Sequence, residues 1–147
     1  MAKRIILITL SFLFSLCAFA TAESEKVENL FNNYFLSYKN KDLNLLKSIT
    51  TESFFESPGG EKHWSSVLDS SSSYFTSYEI KSVSVKKDEL SLFDGDVLFA
   101  QVVYIDASGE TVSMDDDAWF IIKKNGEQLK LDAFYDDFYP NTLEKEE

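Results

Sequence analysis

"MDDDAWFIIKKNGEQLKLDAFYDDF", residues 114–138, holds two runs of strand-forming residues on either side of Asn125-Gly126. Asn-Gly between such runs signals a hairpin, because a two-residue type I′ loop demands positive φ at both positions. That loop would fix the register, setting Phe120 opposite Leu131, Ala118 opposite Ala133 and Asp116 opposite Tyr135. Side chains alternate along a strand. One face therefore collects Met114, Asp116, Ala118, Phe120 and Ile122 with Leu129, Leu131, Ala133 and Tyr135. The other collects Asp115, Asp117, Trp119, Ile121, Lys130, Asp132, Phe134 and Asp136. The first face is the more apolar and is expected to look into the core. Of the three consecutive aspartates, Asp116 alone then points inward. It is either wetted at the open end of the fold or a buried acid with a raised pKa beside a tyrosine, and a buried acid would suit a pocket.

Working outward, further strands are expected over 78–87, 89–94, 97–106, 111–124 and 127–139, with breaks at Asp94-Gly95, Ser108-Gly109 and Asn125-Gly126. Three helices precede them. Val27, Leu30, Phe31, Tyr34, Phe35 and Tyr38 follow helical spacing and form one stripe of a helix beginning near Ser24. Asp42 is placed to cap a short second helix that buries Leu45, Leu46 and Ile49. After Pro58-Gly59-Gly60, the residues Trp64, Val67, Leu68 and Phe75 mark a third. Helices first and an antiparallel meander second predict an α+β fold, with the helices on one face of a curved sheet.

The first twenty-two residues read as a signal peptide, with Lys3 and Arg4, an apolar run from Ile5 to Ala20, and the ending Ala20-Thr21-Ala22. Residues 23–147 then form one domain. A retained membrane anchor is the competing reading, since the apolar run approaches spanning length. Lipidation of Cys17 is disfavoured by Leu16, which stands where a small residue is needed. Cleavage before Glu23 removes the only cysteine, and export without disulfides fits a bacterial periplasm. It also removes two bases and no acid from a chain of net charge −11, leaving −13. Such a chain repels phosphate backbones and anionic headgroups. Nucleic acid and membrane are therefore not expected as partners, whereas cationic or neutral ones are open.

The stretches "YFLSYKNKDLNLLKSITTESFFESPGG" (34–60) and "WFIIKKNGEQLKLDAFYDDF" (119–138) resemble the nuclear-transport-factor-2-like superfamily, which includes ketosteroid isomerase, scytalone dehydratase and SnoaL-like cyclases. The resemblance spans nearly all of the mature chain. It implies a cone-shaped α+β barrel, three helices on the concave face of the sheet, and an aromatic strand running into the proline turn. Ketosteroid isomerase uses an aspartate base, with a tyrosine and a protonated aspartate as oxyanion hole. By resemblance Tyr34 takes the tyrosine's place, Ser57 falls on the base, and Ala118 falls on the protonated acid once the hairpins are aligned at the turn glycine. Serine cannot take a carbon-bound proton at neutral pH, so that isomerase activity is not expected.

The expected function is an exported, non-catalytic domain binding a small neutral or cationic ligand or a protein partner, without cofactor or metal. Its pocket is expected to gather Tyr34, Phe55, Ser57, Met114, Asp116, Ala118 and Tyr135. The alternative is a lyase, cyclase or isomerase with Asp116 as acid or base and Tyr34 and Tyr135 as hydrogen-bond donors. A third reading is an assembly protein that forms a homodimer through a Trp119/Phe134 sheet face. Outward acids could hold Ca²⁺, but strand-borne acids lack the loop cradle that cation favours. His63, the only histidine, follows the glycine turn and is expected at the surface or as a cap.

Overall fold

The computed structural model describes residues 22–113 and 118–135. Helix α1 covers 22–40, and α2 (Leu43–Ile49), α3 (Glu52–Glu56) and α4 (Gly60–Ser71) follow, with a 3-10 turn over Ser72–Phe75. Among the described residues five strands come next: β1 (Glu79–Lys87), β2 (Asp96–Ile105), β3 (Thr111–Ser113), β4 (Trp119–Asn125) and β5 (Gln128–Tyr135). The fold is α+β. The described strands pair antiparallel, the sheet runs β1-β2-β4-β5, and β3 shares an edge of β2 with β4.

The stripe on α1 is buried as its spacing demands, with Val27 and Phe31 fully enclosed and only Tyr34 partly open. Burying each such large apolar side chain contributes about 1.5–3 kcal/mol. Asp42 caps α2, its carboxylate accepting from the Leu45 N–H at 2.9 Å. The expected aromatic strand near residue 54 is instead α3. Thr51 explains it, because its hydroxyl accepts from the Phe54 N–H at 3.2 Å and starts a helical turn. Gly59, at φ 122°, takes a backbone setting closed to most side chains and starts α4. The segment 89–94 is likewise not a strand. The Asp88 carboxylate there accepts from the N–H groups of Leu92 and Phe93, each at 2.9 Å, which holds a loop.

Residues 111–125 form two strands where one was expected. Moving along β2 from Val103 back to Ala100 carries the partner from Ser113 forward to Phe120, so the two ladders are out of step. In β2 itself, "DVLFAQVVYI", both faces are covered. Leu98, Ala100 and Val102 pack under the helices, while Val97 and Phe99 join Trp119 and Ile121 in a second cluster roofed by Leu92 and Phe93.

The β4–β5 hairpin departs from its expected register twice. Asn125 pairs with Gln128, so the loop is Gly126-Glu127, and Gly126 alone has positive φ (60°), the pattern of a type II′ turn. Ile122 rather than Phe120 then faces Leu131. A slip of two residues leaves every side chain on its expected face, but Asp132 does not. Ile121 pairs with Ala133 while Ile122 pairs with Leu131, making Asp132 a β-bulge. One extra residue reverses the alternation beyond it. Phe134 therefore pairs with Phe120 on the helix side, and Tyr135 pairs with Trp119 on the outer side. Both assignments are the reverse of the sequence expectation. A second bulge, at Lys81, keeps Ile80 on the same core side as Val83 and Val85.

Asp132 is held from two directions. Its carboxylate accepts from the Thr51 hydroxyl at 2.7 Å and lies 3.2 Å from the Lys123 ammonium. Beside it the Thr51 N–H donates to the Leu131 carbonyl at 2.8 Å, so the α2–α3 junction covers the open edge of β5. Replacing Asp132 with alanine is expected to lower stability by about 1–2 kcal/mol, since a charge-assisted bond at a shielded position is lost. Lys123→Ala, which removes a half-exposed partner, should cost under about 0.5 kcal/mol. Urea unfolding of both variants checks this, and equal costs would contradict an anchoring role for Asp132.

Candidate functional site

Between α1, α4 and the sheet lies a cavity of about 530 Å³. Ten of its fourteen described lining residues are aromatic. Tyr34, Phe35 and Tyr38 come from α1, Phe54 from α3, Trp64 from α4, Tyr74 and Phe75 from the 3-10 turn, Tyr104 from β2, Phe120 from β4 and Phe134 from β5. Val67, Val102, Ser71 and Asp106 complete the wall.

The rings brace one another. Phe120 meets Phe134 at 5.0 Å and Tyr34 at 5.9 Å between centroids, and Phe35 meets Tyr104 at 4.5 Å. Edge and tilted contacts of this kind contribute about 0.5–1.5 kcal/mol each beyond burial. Trp64 is oriented by its indole N–H, which donates to the Phe55 carbonyl at 2.9 Å, and by stacking on Phe54. Phe55 thus serves the cavity from behind. It is itself buried in the core, under the Lys47 ammonium, and does not line the space.

Tyr34 and Tyr38 share a hydroxyl–hydroxyl bond of 2.9 Å in the wall. Burial pushes the Tyr34 phenol well above its ordinary pKa, and the neighbouring Tyr38 adds to the rise. Tyr38 is also raised by burial, partly opposed by its bond to Tyr34. Burial raises Tyr104 too, with the negative charge of Asp106 contributing. Asp106 shifts the other way. The Ser108 hydroxyl is the chief cause, and the backbone N–H groups of Ser108, Gly109 and Glu110 assist in holding it below its usual range. These bonds close the β2–β3 turn, and the Ala107 N–H donates to the Tyr74 carbonyl at 2.9 Å, tying that turn to the rim.

Of the described residues expected in the pocket, only Tyr34 lines this cavity. Ser57 sits exposed at the C-terminal end of α3, where its N–H donates to the Ser53 carbonyl. Ala118 is buried just before β4, and its carbonyl accepts from the Gln101 amide at 3.0 Å. Tyr135 lies on the outer face, 6.0 Å from Phe93 between ring centroids, because of the Asp132 bulge. Met114 and Asp116 fall outside the described residues. The triad of Tyr34, Tyr135 and an inward acid is therefore divided between two sides of the sheet. The supposed dimer patch is divided as well, since Trp119 is only 3 % exposed within one chain, beneath the Lys86 ammonium, and Phe134 belongs to the cavity. His63 is exposed, its ring edge-on to Trp64.

Three lining residues carried signals that could have identified them. Tyr38 is one helical turn beyond Tyr34 and must share its face. Tyr104 has the parity of Leu98 and Val102 on β2. Asp106 precedes Ser108-Gly109, a turn composition that also sets a carboxylate at a strand end. Phe134 carried no such signal, because its parity pointed outward. Comparison with family models, curated proteins and solved structures gave no match for this chain.

A phenol whose folded pKa is raised ionises first in the unfolded chain. Stability should therefore fall as pH rises above about 10, the ordinary tyrosine value, and continue to fall towards the folded pKa. Tyr34→Phe is expected to make that alkaline loss shallower, while costing about 0.5–1.5 kcal/mol at pH 7 from the broken hydroxyl pair. Thermal melts from pH 7 to 11 check both signs. An alkaline slope identical to that of the unaltered protein would contradict the assignment.

Proposed function

We propose that this chain is a non-catalytic binding domain that holds a small, largely apolar molecule in the aromatic cavity. The reading extends to an exported protein of the nuclear-transport-factor-2-like kind. The cavity carries the proposal. Its 530 Å³ falls within the usual range for ligand sites, and apolar walls with a few placed polar groups are their usual make-up. The polar groups here are the tyrosine hydroxyls, Ser71 and Asp106.

A binding role accounts for these residues better than turnover does. The wall residues described hold no histidine, cysteine or lysine, and Tyr34, Tyr38 and Tyr104 are shifted towards staying protonated. Asp106 is held ionised by its turn, which suits a fixed charge more than a group that exchanges protons near neutral pH. The enzyme alternative loses support with the outward placement of Tyr135.

The test uses N-phenyl-1-naphthylamine, a neutral dye that brightens in apolar surroundings. It is expected to bind one-to-one, at micromolar concentration as an order of magnitude for a ligand of that size. Ser71→Trp, which sets an indole into the wall, should weaken binding at least about tenfold while the protein still melts cooperatively. Dye binding that is absent, or unchanged in a cooperatively folded Ser71→Trp protein, would overturn the proposal.

A further inference from the structure

We infer that the cavity selects an organic cation, an ammonium or quaternary ammonium group carrying an apolar substituent; this rests on the binding role proposed above. Aromatic walls alone would accept neutral and cationic guests alike. Asp106 is the residue that breaks the tie. It supplies the only charged side chain among the described wall residues, and no lysine, arginine or histidine there balances it. An anionic guest would meet the like charge of this carboxylate at the rim, with no cation among the described wall residues to offset it. A cationic guest would meet both the carboxylate and the negative faces of tyrosine, tryptophan and phenylalanine rings, the combination that recognises quaternary ammonium groups.

The placement of the acid is built into the fold. Ser108 donates to Asp106 through its N–H at 2.8 Å and through its hydroxyl, both to the same oxygen, Oδ1. Both Ser108 bonds thus engage one oxygen of the carboxylate, and Oδ2 takes part in neither. The turn is fixed against Tyr74 by the bond from Ala107. The field of Asp106 already reaches the cavity wall, since its charge raises the Tyr104 phenol. The net charge of −11 favours the approach of cations from solution as well.

Asp106 also has a plain structural use as the residue that closes the β2–β3 turn, and the substitution used as a test must respect it. Asp106→Asn does so, because an amide oxygen accepts the same two bonds from Ser108 while the charge is lost.

Phenyltrimethylammonium and tert-butylbenzene have the same shape and differ in charge. Each is titrated against bound N-phenyl-1-naphthylamine in the full chain and in Asp106→Asn. The cation should displace the dye at about tenfold lower concentration than the hydrocarbon, and Asp106→Asn should reduce that preference to less than about threefold with hydrocarbon affinity unchanged. Equal displacement by the two compounds, or a preference that survives Asp106→Asn, overturns the cation selectivity while leaving the cavity as a binding site. If neither compound displaces the dye and the dye itself ignores Ser71→Trp, both this inference and the binding role fall.

Discussion

One additional residue in the edge strand organises this molecule. Asp132 bulges out of the β5 ladder, and its carboxylate is engaged by the Thr51 hydroxyl and the Lys123 ammonium. A bulge leaves backbone groups out of the ladder and is retained only where something else holds it. Here the α2–α3 junction does so, adding a backbone bond from Thr51 to Leu131 along the same edge. The contact therefore has two effects. It closes an exposed strand edge, and it sets the phase of everything that follows in β5.

That phase decides what each side of the sheet contains. Without the bulge, the small Ala133 would stand opposite Phe120, and Phe134 would lie among the outer residues. With it, a second ring reaches Phe120 on the helix side, and Ala133 fits beneath the outer cluster of Val97, Phe99, Trp119 and Ile121. The outer cluster needs a small residue there because the loop carrying Leu92 and Phe93 already covers that face. The helix side receives rings from seven elements around a space that none of them fills.

Much of the fold could be read from the sequence, and the parts that could not share a cause. The α1 stripe, the Asp42 cap, the Trp64 helix and the core parity of β2 follow from periodicity and local hydrogen bonding, which act over a few residues. The helix-borne Tyr34 lines the cavity from that stripe. Tyr135 and Phe134 were exchanged because parity arguments carry an unseen bulge forward as a complete inversion. The bulge depends on Thr51, more than eighty positions away, and no local pattern reports it. The aromatic stretch before the proline turn and the segment 89–94 differ from expectation for another reason. Their apolar content resembles strand, but single side chains, Thr51 and Asp88, supply competing bonds that favour a helical turn and a loop.

The bulge can be observed directly by nuclear Overhauser contacts across the β4–β5 hairpin of the full chain in solution. The bulged register predicts contacts between the Phe120 and Phe134 rings, whose centroids lie 5.0 Å apart, and cross-strand contacts pairing Ile121 with Ala133 and Ile122 with Leu131. A regular ladder in which Phe120 contacts Ala133 and Trp119 contacts Phe134 would contradict it, and would move Phe134 out of the cavity.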